Sequence, residues 1–417
     1  MSLLYVSWKN LLNKPLNLGL SVVLFSLGVG LIALLMQLNH QLQEKFDRNL
    51  AGIDLVIGAK GSPLQLILSA MFHIDNPTGN IALEDARPFL NPKHPLIAEA
   101  YPISLGDSYR AYRIVGTERQ FAELYGGELE QGRYWERPME VVLGAEVAHK
   151  LGLGLDSRFQ SAHGLQDDEN LVHEDAEAFR VVGILKPTGS VLDQLILTPT
   201  QSIWHVHESH AAEEEHHAHE HSLPADERTA LLEAEGQAIT AILLKFRGRN
   251  YQALNMQRQI NENTTLMAAT PALELNRLYN MMGVGQDALE VLAYVIMAVS
   301  AFSVFISLFS SLNERKYELA LMRVMGGRPG TLFLLITLEG LLLASMGCVA
   351  GLLLGHGALA VLAERLEKAY RYAFEAWSFL PAEGLLVLAA LGIGLLAALI
   401  PAWQAGKTDI SRTLAKG

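Results

Sequence analysis

Seven histidines fall within one short stretch, WHVHESHAAEEEHHAHEHS: His205, His207, His210, His216, His217, His219 and His221, half of the chain's fourteen. Five glutamates are interleaved with them. Imidazole nitrogens and carboxylates suit Zn²⁺, Cu²⁺ or Ni²⁺, and three or four closing on one ion make a site. On a helix His217 and His221 share a face; on a strand His205 and His207 do. Low-complexity sequence of this kind gives a loose, exchangeable site at most, and a solvated acidic linker that carries histidine explains the composition equally well. The expectation is no resident cofactor, with zinc as a loosely bound ion.

Other chemistry is excluded more sharply. The chain has no GxxxxGK[ST] loop to cradle phosphates, no HExxH and no nucleophile elbow, so no catalytic residue is expected. Its single cysteine, Cys348, allows neither an intrachain disulfide nor a thiolate metal site. Between His40 and Gln286 the sequence carries 20 Lys/Arg against 34 Asp/Glu, and the net charge of the whole chain is −12. That acidic balance disfavours nucleic acid and anionic lipid as partners.

The elements around these residues are set by four apolar runs, 16–38, 289–312, 331–355 and 385–403, each long enough to cross a bilayer. The first is too long for a signal-peptide core and reads as an uncleaved anchor. Lys9 and Lys14 before it, and Lys407, Arg412 and Lys416 after the last, place both termini inside. Residues 39–288 are then thrown outside as one large domain, with a short outer loop over 356–384 and a tail over 404–417. Residues 1–15 read as an interfacial helix. The charged island 313–330 lies at the inner face, and its Leu319, Met322 and Met325 form an apolar stripe at helical spacing, a docking surface for a cytosolic partner. In the third run Gly347, Gly351 and Gly355 form a bare ridge for dimerisation or for packing on the second span. Glu339, in the same run, is costly facing lipid and is expected to pair with a basic residue of the island or tail. The apolar segment Leu64 to Phe72 reads either as a flap near the membrane surface or as core.

The order of these pieces resembles the C-terminal module of FtsX/MacB/LolC-type ABC transporter permeases. The residues carrying the likeness are Arg315, Glu318, Leu319, Arg323 and Gly326 in the island, then Glu339 and Gly340, then Pro401, Ala402, Ala405, Asp409 and Ile410. The string VGTERQ…GRYW…VVLGAEVAHKLGLG…FRVVGIL…LDQLILTP is similar to the MacB-type extracytoplasmic core domain. The resemblance implies an α+β membrane protein: four transmembrane helices, with a mixed α/β domain of two lobes between the first and second. A strand-rich lobe over about 118–200 would be inserted, and the histidine-rich stretch, 201–235, looks like an addition. It further implies a bacterial inner-membrane permease, a homodimer in the lipid bilayer, driven by a separate ABC ATPase that touches Glu314, Arg315, Glu318, Leu319, Met322, Arg323 and Met325. Export or mobilisation of a substrate is the expected role, with a periplasmic metal-binding or substrate protein as a further partner. Lipoprotein release, or regulation of a periplasmic enzyme, are the alternatives.

Overall fold

The structure, a computed structural model, describes residues 3–161, 178–209, 227–248, 251–370 and 374–407. From α1 (Leu3–Leu12) the chain turns into α2 (Pro15–Leu50), then through β1 (Leu55–Ala59), α3 (Pro63–Ala70), β2 (Ile81–Ala82), α4 (Leu83–Leu90), β3 (Ile97–Tyr109) and β4 (Tyr112–Thr117). Next come α5 (Gln120–Leu124), β5 (Leu129–Gly132), β6 (Glu140–Leu143), α6 (Ala145–Leu151), β7 (Arg158–Phe159), β8 (Phe179–Leu185), β9 (Ile196–Pro199), α7 (Thr200–Ser209) and α8 (Glu227–Glu233). Then follow β10 (Ala238–Ile239), β11 (Ala241–Phe246), α9 (Tyr251–Asn263), β12 (Leu266–Ala269), α10 (Pro271–Glu314), α11 (Lys316–Val324), α12 (Pro329–Tyr370) and α13 (Pro381–Gly406). The chain divides into two compact units, one of Met1–Gln43 with Met281–Gly417, the other of Glu44–Asn280.

The second unit is built on one ten-stranded mixed sheet in the order β12-β1-β11-β3-β4-β9-β6-β8-β5, with β7 beside β8. The strands are short apolar runs buried on both faces, as in β1, LVIGA, and β6, EVVL. Strand β3 belongs to both halves of the sheet. Its residues Ile97 to Ile103 pair antiparallel with β11, and Ser104 to Tyr109 pair antiparallel with β4 across a bulge. Two separate cores result. One packs Leu55, Ile57, Ile242 and Leu244 under Met256 and Ile260 of α9; the other packs Ile114, Val141, Val181 and Ile196 around Phe159 and Phe179. The expected two lobes are therefore spliced along one strand.

Helix α3 decides between flap and core. Ser62 caps its N-terminus, Pro63 occupies the first turn, and Leu66, Ile67, Ala70, Met71 and Phe72 are all buried. Leu66 packs onto Gly58 of β1 so closely that a Cβ there would lie 2.4 Å from its Cδ1. The segment is core, and the flap reading is corrected. His73 follows it in the left-handed conformation, φ 54°, buried, with neither ring nitrogen hydrogen-bonded.

In the first unit the four long helices α2, α10, α12 and α13 are each apolar enough to cross a membrane. α10 runs through Gly283 and Gly285 unbroken, and α12 continues to Tyr370, well into the stretch that the sequence suggested as outer loop. Small residues set the spacing. A Cβ on Gly351 would lie 2.7 Å from Val29 Cβ, and one on Gly355 2.8 Å from the Gly30 carbonyl. The glycine ridge thus packs on α2, the first span, rather than on the second span or a second copy. Gly394 of α13 packs against Ala344 of α12 in the same way. Ser300 Oγ donates to the Leu24 carbonyl at 2.8 Å, tying α10 to α2.

Burial, helped by the Arg113 charge, pushes the His73 pKa from 6.5 down to about 3. The imidazole is neutral in the fold but takes a proton when the chain unfolds below pH 6.5, so stability must fall as pH falls from 6.5 towards 3. The loss is at most about 5 kcal/mol at the lower limit. His73→Asn accepts the left-handed backbone and does not titrate. Denaturant unfolding of the full chain from about pH 7 to about pH 4, which spans ordinary histidine titration, should show a shallower acid slope for the variant than for wild type. Equal slopes would rule this role out.

Candidate coupling site

The island between the second and third spans is fixed by backbone geometry first. α10 ends at Glu314, Arg315 breaks the helical run, and α11 starts at Lys316. At the far end Gly326 adopts φ 99°, which favours glycine, and the Gly327 N–H donates to the Met322 carbonyl at 2.9 Å. Pro329 then opens α12. The result is a nine-residue helix held between two spans by a one-residue break and a short turn.

Side chains lock it. Glu339, one of the most buried carboxylates in the chain at 1% exposed, accepts from Asn10 Nδ2 of α1 at 2.8 Å and from Arg315 Nη1 at 3.3 Å. Arg315 reaches Glu318 Oε2 with its Nε at 3.1 Å, so one guanidinium bridges α12 and α11. Glu314 pairs with Lys14 and accepts from Ser310 Oγ at 3.0 Å. Ser7 Oγ donates to the Leu335 carbonyl at 3.3 Å, which lays α1 along α12. The expected partner of Glu339 was a basic residue of the island or of the tail, and Arg315 of the island is that residue. Asn10 of α1 as a donor to Glu339, and the pairing of Lys14 with Glu314, were missed; the signal was a polar residue on an amphipathic helix, one turn before a lysine.

The apolar faces of α11 separate into an inner and an outer set. Leu319, 1% exposed, packs with Leu312, Leu332, Leu335, Ile336, Ala402 and Ala405, and the half-buried Met322 lies against the same cluster; Ala320 is buried as well. Tyr317, Leu321 (43% exposed), Val324 and Met325 (73% exposed) point the other way. Their spacing of four, three and one residues makes one outward stripe. The expectation that Leu319 and Met322 face a partner is corrected: they fasten α11 to its own bundle, and of the expected three only Met325 is outward. Glu318 is exposed and Arg323 half-buried.

Of the histidines, His205 is exposed on α7, and the backbone at position 207 belongs to the same helix, so the strand that would have put the two on one face is not formed there. His210, His216, His217, His219 and His221 lie outside the described residues. Among the described residues no three His, Cys, Asp or Glu side chains group as a metal site.

Comparison with known proteins follows the same division. Residues 18–243 match the MacB-like periplasmic core domain, and residues 290–410 match the FtsX-like permease C-terminal region. An uncharacterized ABC transporter permease protein of Mycobacterium tuberculosis (strain ATCC 25618 / H37Rv) is 25% identical over 435 residues, covering 98% of this chain and 44% of that protein. The chain therefore spans less than half the length of this curated relative. The extracellular domain of the noncanonic ABC-type transporter YknZ from Gram-positive bacteria aligns with 52% of this chain and 99% of its own, at 11% identity and a TM-score of 0.30.

The charge knot makes a testable statement. Arg315→Ala leaves Glu339 buried with Asn10 alone, which should cost about 3 kcal/mol, because an unpaired buried charge is the expensive state. Glu339→Gln in the same chain removes that charge and should restore most of the loss. Thermal unfolding of the solubilised single and double variants decides it: a double variant no more stable than Arg315→Ala would contradict the knot.

Proposed function

The chain belongs to the ABC transporter permeases that join a MacB-like periplasmic core domain to an FtsX-like C-terminal module, and on that basis we propose that it is the membrane subunit of a complex driven by a separate ATPase. It is a multi-pass membrane protein with an extracytoplasmic domain. In the proposed arrangement both termini and α11 face the cytoplasm, in a bacterial inner membrane. The ATPase docks on Tyr317, Leu321, Val324 and Met325. One observation carries this reading: α11 is fastened to its bundle on one face by Leu319 and the Arg315–Glu339 pair, while its opposite face is apolar and exposed. A push on that face moves α10 and α12 together. The chain works as a homodimer with two ATPase copies, the second copy covering the exposed Val295, Val299, Phe302 and Ile306 of α10.

The work done is export or mobilisation of a substrate by movement of the extracytoplasmic domain. Lipoprotein release loses most of the contact that the sequence offered for it, since Leu66, Ile67, Ala70, Met71 and Phe72 of the segment Leu64 to Phe72 are buried. Regulation of a periplasmic enzyme would use the same machine and differs in readout: added substrate stimulates ATP hydrolysis by a transporter, whereas a regulator binds its enzyme stoichiometrically.

A link to zinc is a second proposal, and it rests on the composition of residues 205–221 together with how firmly the chain is held on either side. Trp204 Nε1 donates to the Ala238 carbonyl at 2.7 Å. Arg228 binds Glu118 through two nitrogens and the Leu90 carbonyl at 3.0 Å. Deleting residues 210–226 removes five of the seven histidines and neither anchor.

Two measurements check these readings. Leu321→Asp places a charge in the docking face, where burying it unpaired is costly; ATPase activity recovered with the affinity-purified chain should fall at least about tenfold, a loss of some 1.4 kcal/mol of binding, while membrane insertion is kept. Undiminished recovery would remove α11 as the docking surface. In calorimetric titration of the full chain with zinc, the 210–226 deletion should abolish binding that wild type shows at neutral pH and loses on acidification, because imidazole must be deprotonated to ligate. Equal binding by both chains would end the metal role of the stretch.

A further inference from the structure

One face of α2 changes character along its length. Ile32, Leu35 and Met36 are apolar, whereas Asn39, His40 and Gln43, which continue the same face at helical spacing, are polar. These six line one side of a cleft of about 550 Å³. Leu380, Pro381 and Ala382, where α13 begins, form a second wall, and Gln286 and Glu290 of α10 a third. All of them belong to the membrane unit. The polar end of the α2 face stops just before Glu44, where the extracytoplasmic unit begins, so the cleft lies in the outer half of the bilayer.

The wall at the start of α13 is held in place by the neighbouring face of α2. Gln37 and Gln41, one turn apart, are both buried. Gln37 Nε2 donates to Glu383 Oε1 at 2.6 Å and also to the Ser378 carbonyl. Gln41 grips the connection between α12 and α13, with Nε2 donating to the Glu375 carbonyl at 2.8 Å and Oε1 accepting the Glu375 N–H at 2.9 Å. Glu383 and His356 of α12 are 3% and 2% exposed, and the Trp377 ring stacks on the His356 imidazole with planes 10° apart. The connection that carries Leu380 and Pro381 is thereby pinned to α2, and the cleft keeps its shape without a ligand. By contrast, Asn39, His40, Gln43 and Glu290 are exposed and open to an incoming molecule.

Its size falls within the range of about 300–1,000 Å³ that small-molecule sites occupy. An apolar floor continuous with a polar rim fits an amphiphile. Among the described residues lining the cleft, Glu290 is the one carboxylate, and no lysine or arginine joins it. The Tyr294 hydroxyl donates to Glu290 Oε1 and orients the carboxylate. Basic pockets between spans take acidic lipid head groups, and this cleft has the opposite sign. The amides of Asn39, Gln43 and Gln286 each offer one acceptor oxygen and two donor hydrogens. We propose that the cleft binds a zwitterionic phospholipid of the outer leaflet whose head group ends in a primary ammonium. The ammonium donates to Glu290 and to amide oxygens, the amide N–H groups reach the phosphate, and the upper acyl chain lies along Ile32, Leu35 and Met36. The surrounding bilayer supplies such a lipid directly, because the walls are spanning helices. A trimethylated head group carries the same charge but has no N–H to donate, and an acidic head group is repelled by Glu290.

The test offers the full solubilised chain equimolar phosphatidylethanolamine, phosphatidylcholine and phosphatidylglycerol with identical acyl chains, and counts the retained lipids by native mass spectrometry. Wild type should retain phosphatidylethanolamine over each of the others by at least about fivefold, less than a fully buried hydrogen bond to a charged group would give because the rim is exposed. Glu290→Gln, at an exposed position, should bring phosphatidylethanolamine and phosphatidylcholine to parity. Equal retention by wild type would overturn the proposal, whether or not the variant folds, and would leave the cleft to a second copy of the chain. A phosphatidylethanolamine preference that survives Glu290→Gln would overturn it as well, since the ammonium would then be read elsewhere. So would a preference for phosphatidylglycerol. None of these outcomes depends on which ATPase or substrate the chain serves.

Discussion

A carboxylate cannot sit among apolar helices without donors, and Glu339 is the residue on which the α11 end of the membrane unit is organised. Its oxygen needs hydrogen bonds from groups that themselves belong to other elements, and it takes them from Asn10 of α1 and Arg315 at the α10–α11 break. Two segments, one of them more than 300 residues away in sequence, are thereby tied to one point of α12. The arginine is suited to this because its Nε serves Glu318 and its Nη1 serves Glu339, whereas a lysine would have to draw both carboxylates to one nitrogen. Replacing the whole group by apolar residues need not destabilise the bundle. What the ion pair contributes is register: it fixes where α11 stands relative to the spans it joins.

Between this knot and the buried polar cluster of Gln37, His356 and Glu383, the helices meet through small residues. Phe25 and Val29 of α2 lie against Gly347 and Gly351, and Gly340 lies against Ala398 of α13. Contacts this close leave no aqueous route among the described side chains of that core, where Phe25, Val29, Leu343 and Ala344 are buried together. Work done through such a bundle must come from movement of helices as bodies, since dense packing resists continuous deformation. Polar groups therefore sit at the two ends of the packed helices, where they decide how those ends are held.

Much of this was readable from residue order. The four spans, the mixed α/β domain between the first two and the family resemblance all follow from long apolar runs and punctuating motifs. What escaped was which neighbour each face meets. Periodicity marks Leu319 and Met322 as apolar, yet α11 has two apolar faces, and only tertiary packing says that these two point inward while Leu321 and Val324 point out. The ridge at Gly347 to Gly355 announced a close partner without naming α2. Leu66 and Phe72 were ambiguous because a short apolar helix looks alike at a membrane and in a core. Strand β3 carries no sign that its two ends serve different lobes. Gln37 and Gln41 belong to no motif, and their bonds to Glu383 and to the Glu375 carbonyl join residues more than 300 apart in sequence.

The central claim is that α11 is a rigid extension of its bundle that keeps one apolar face open. Hydrogen exchange across Lys316 to Val324 in the full chain, without any partner present, tests it most directly. A helix welded through Leu319 and Arg315 should be as protected as the adjoining ends of α10 and α12, because it can open only when they do. Exchange of α11 at the rate of an isolated short helix, with α10 and α12 still protected, would contradict the account.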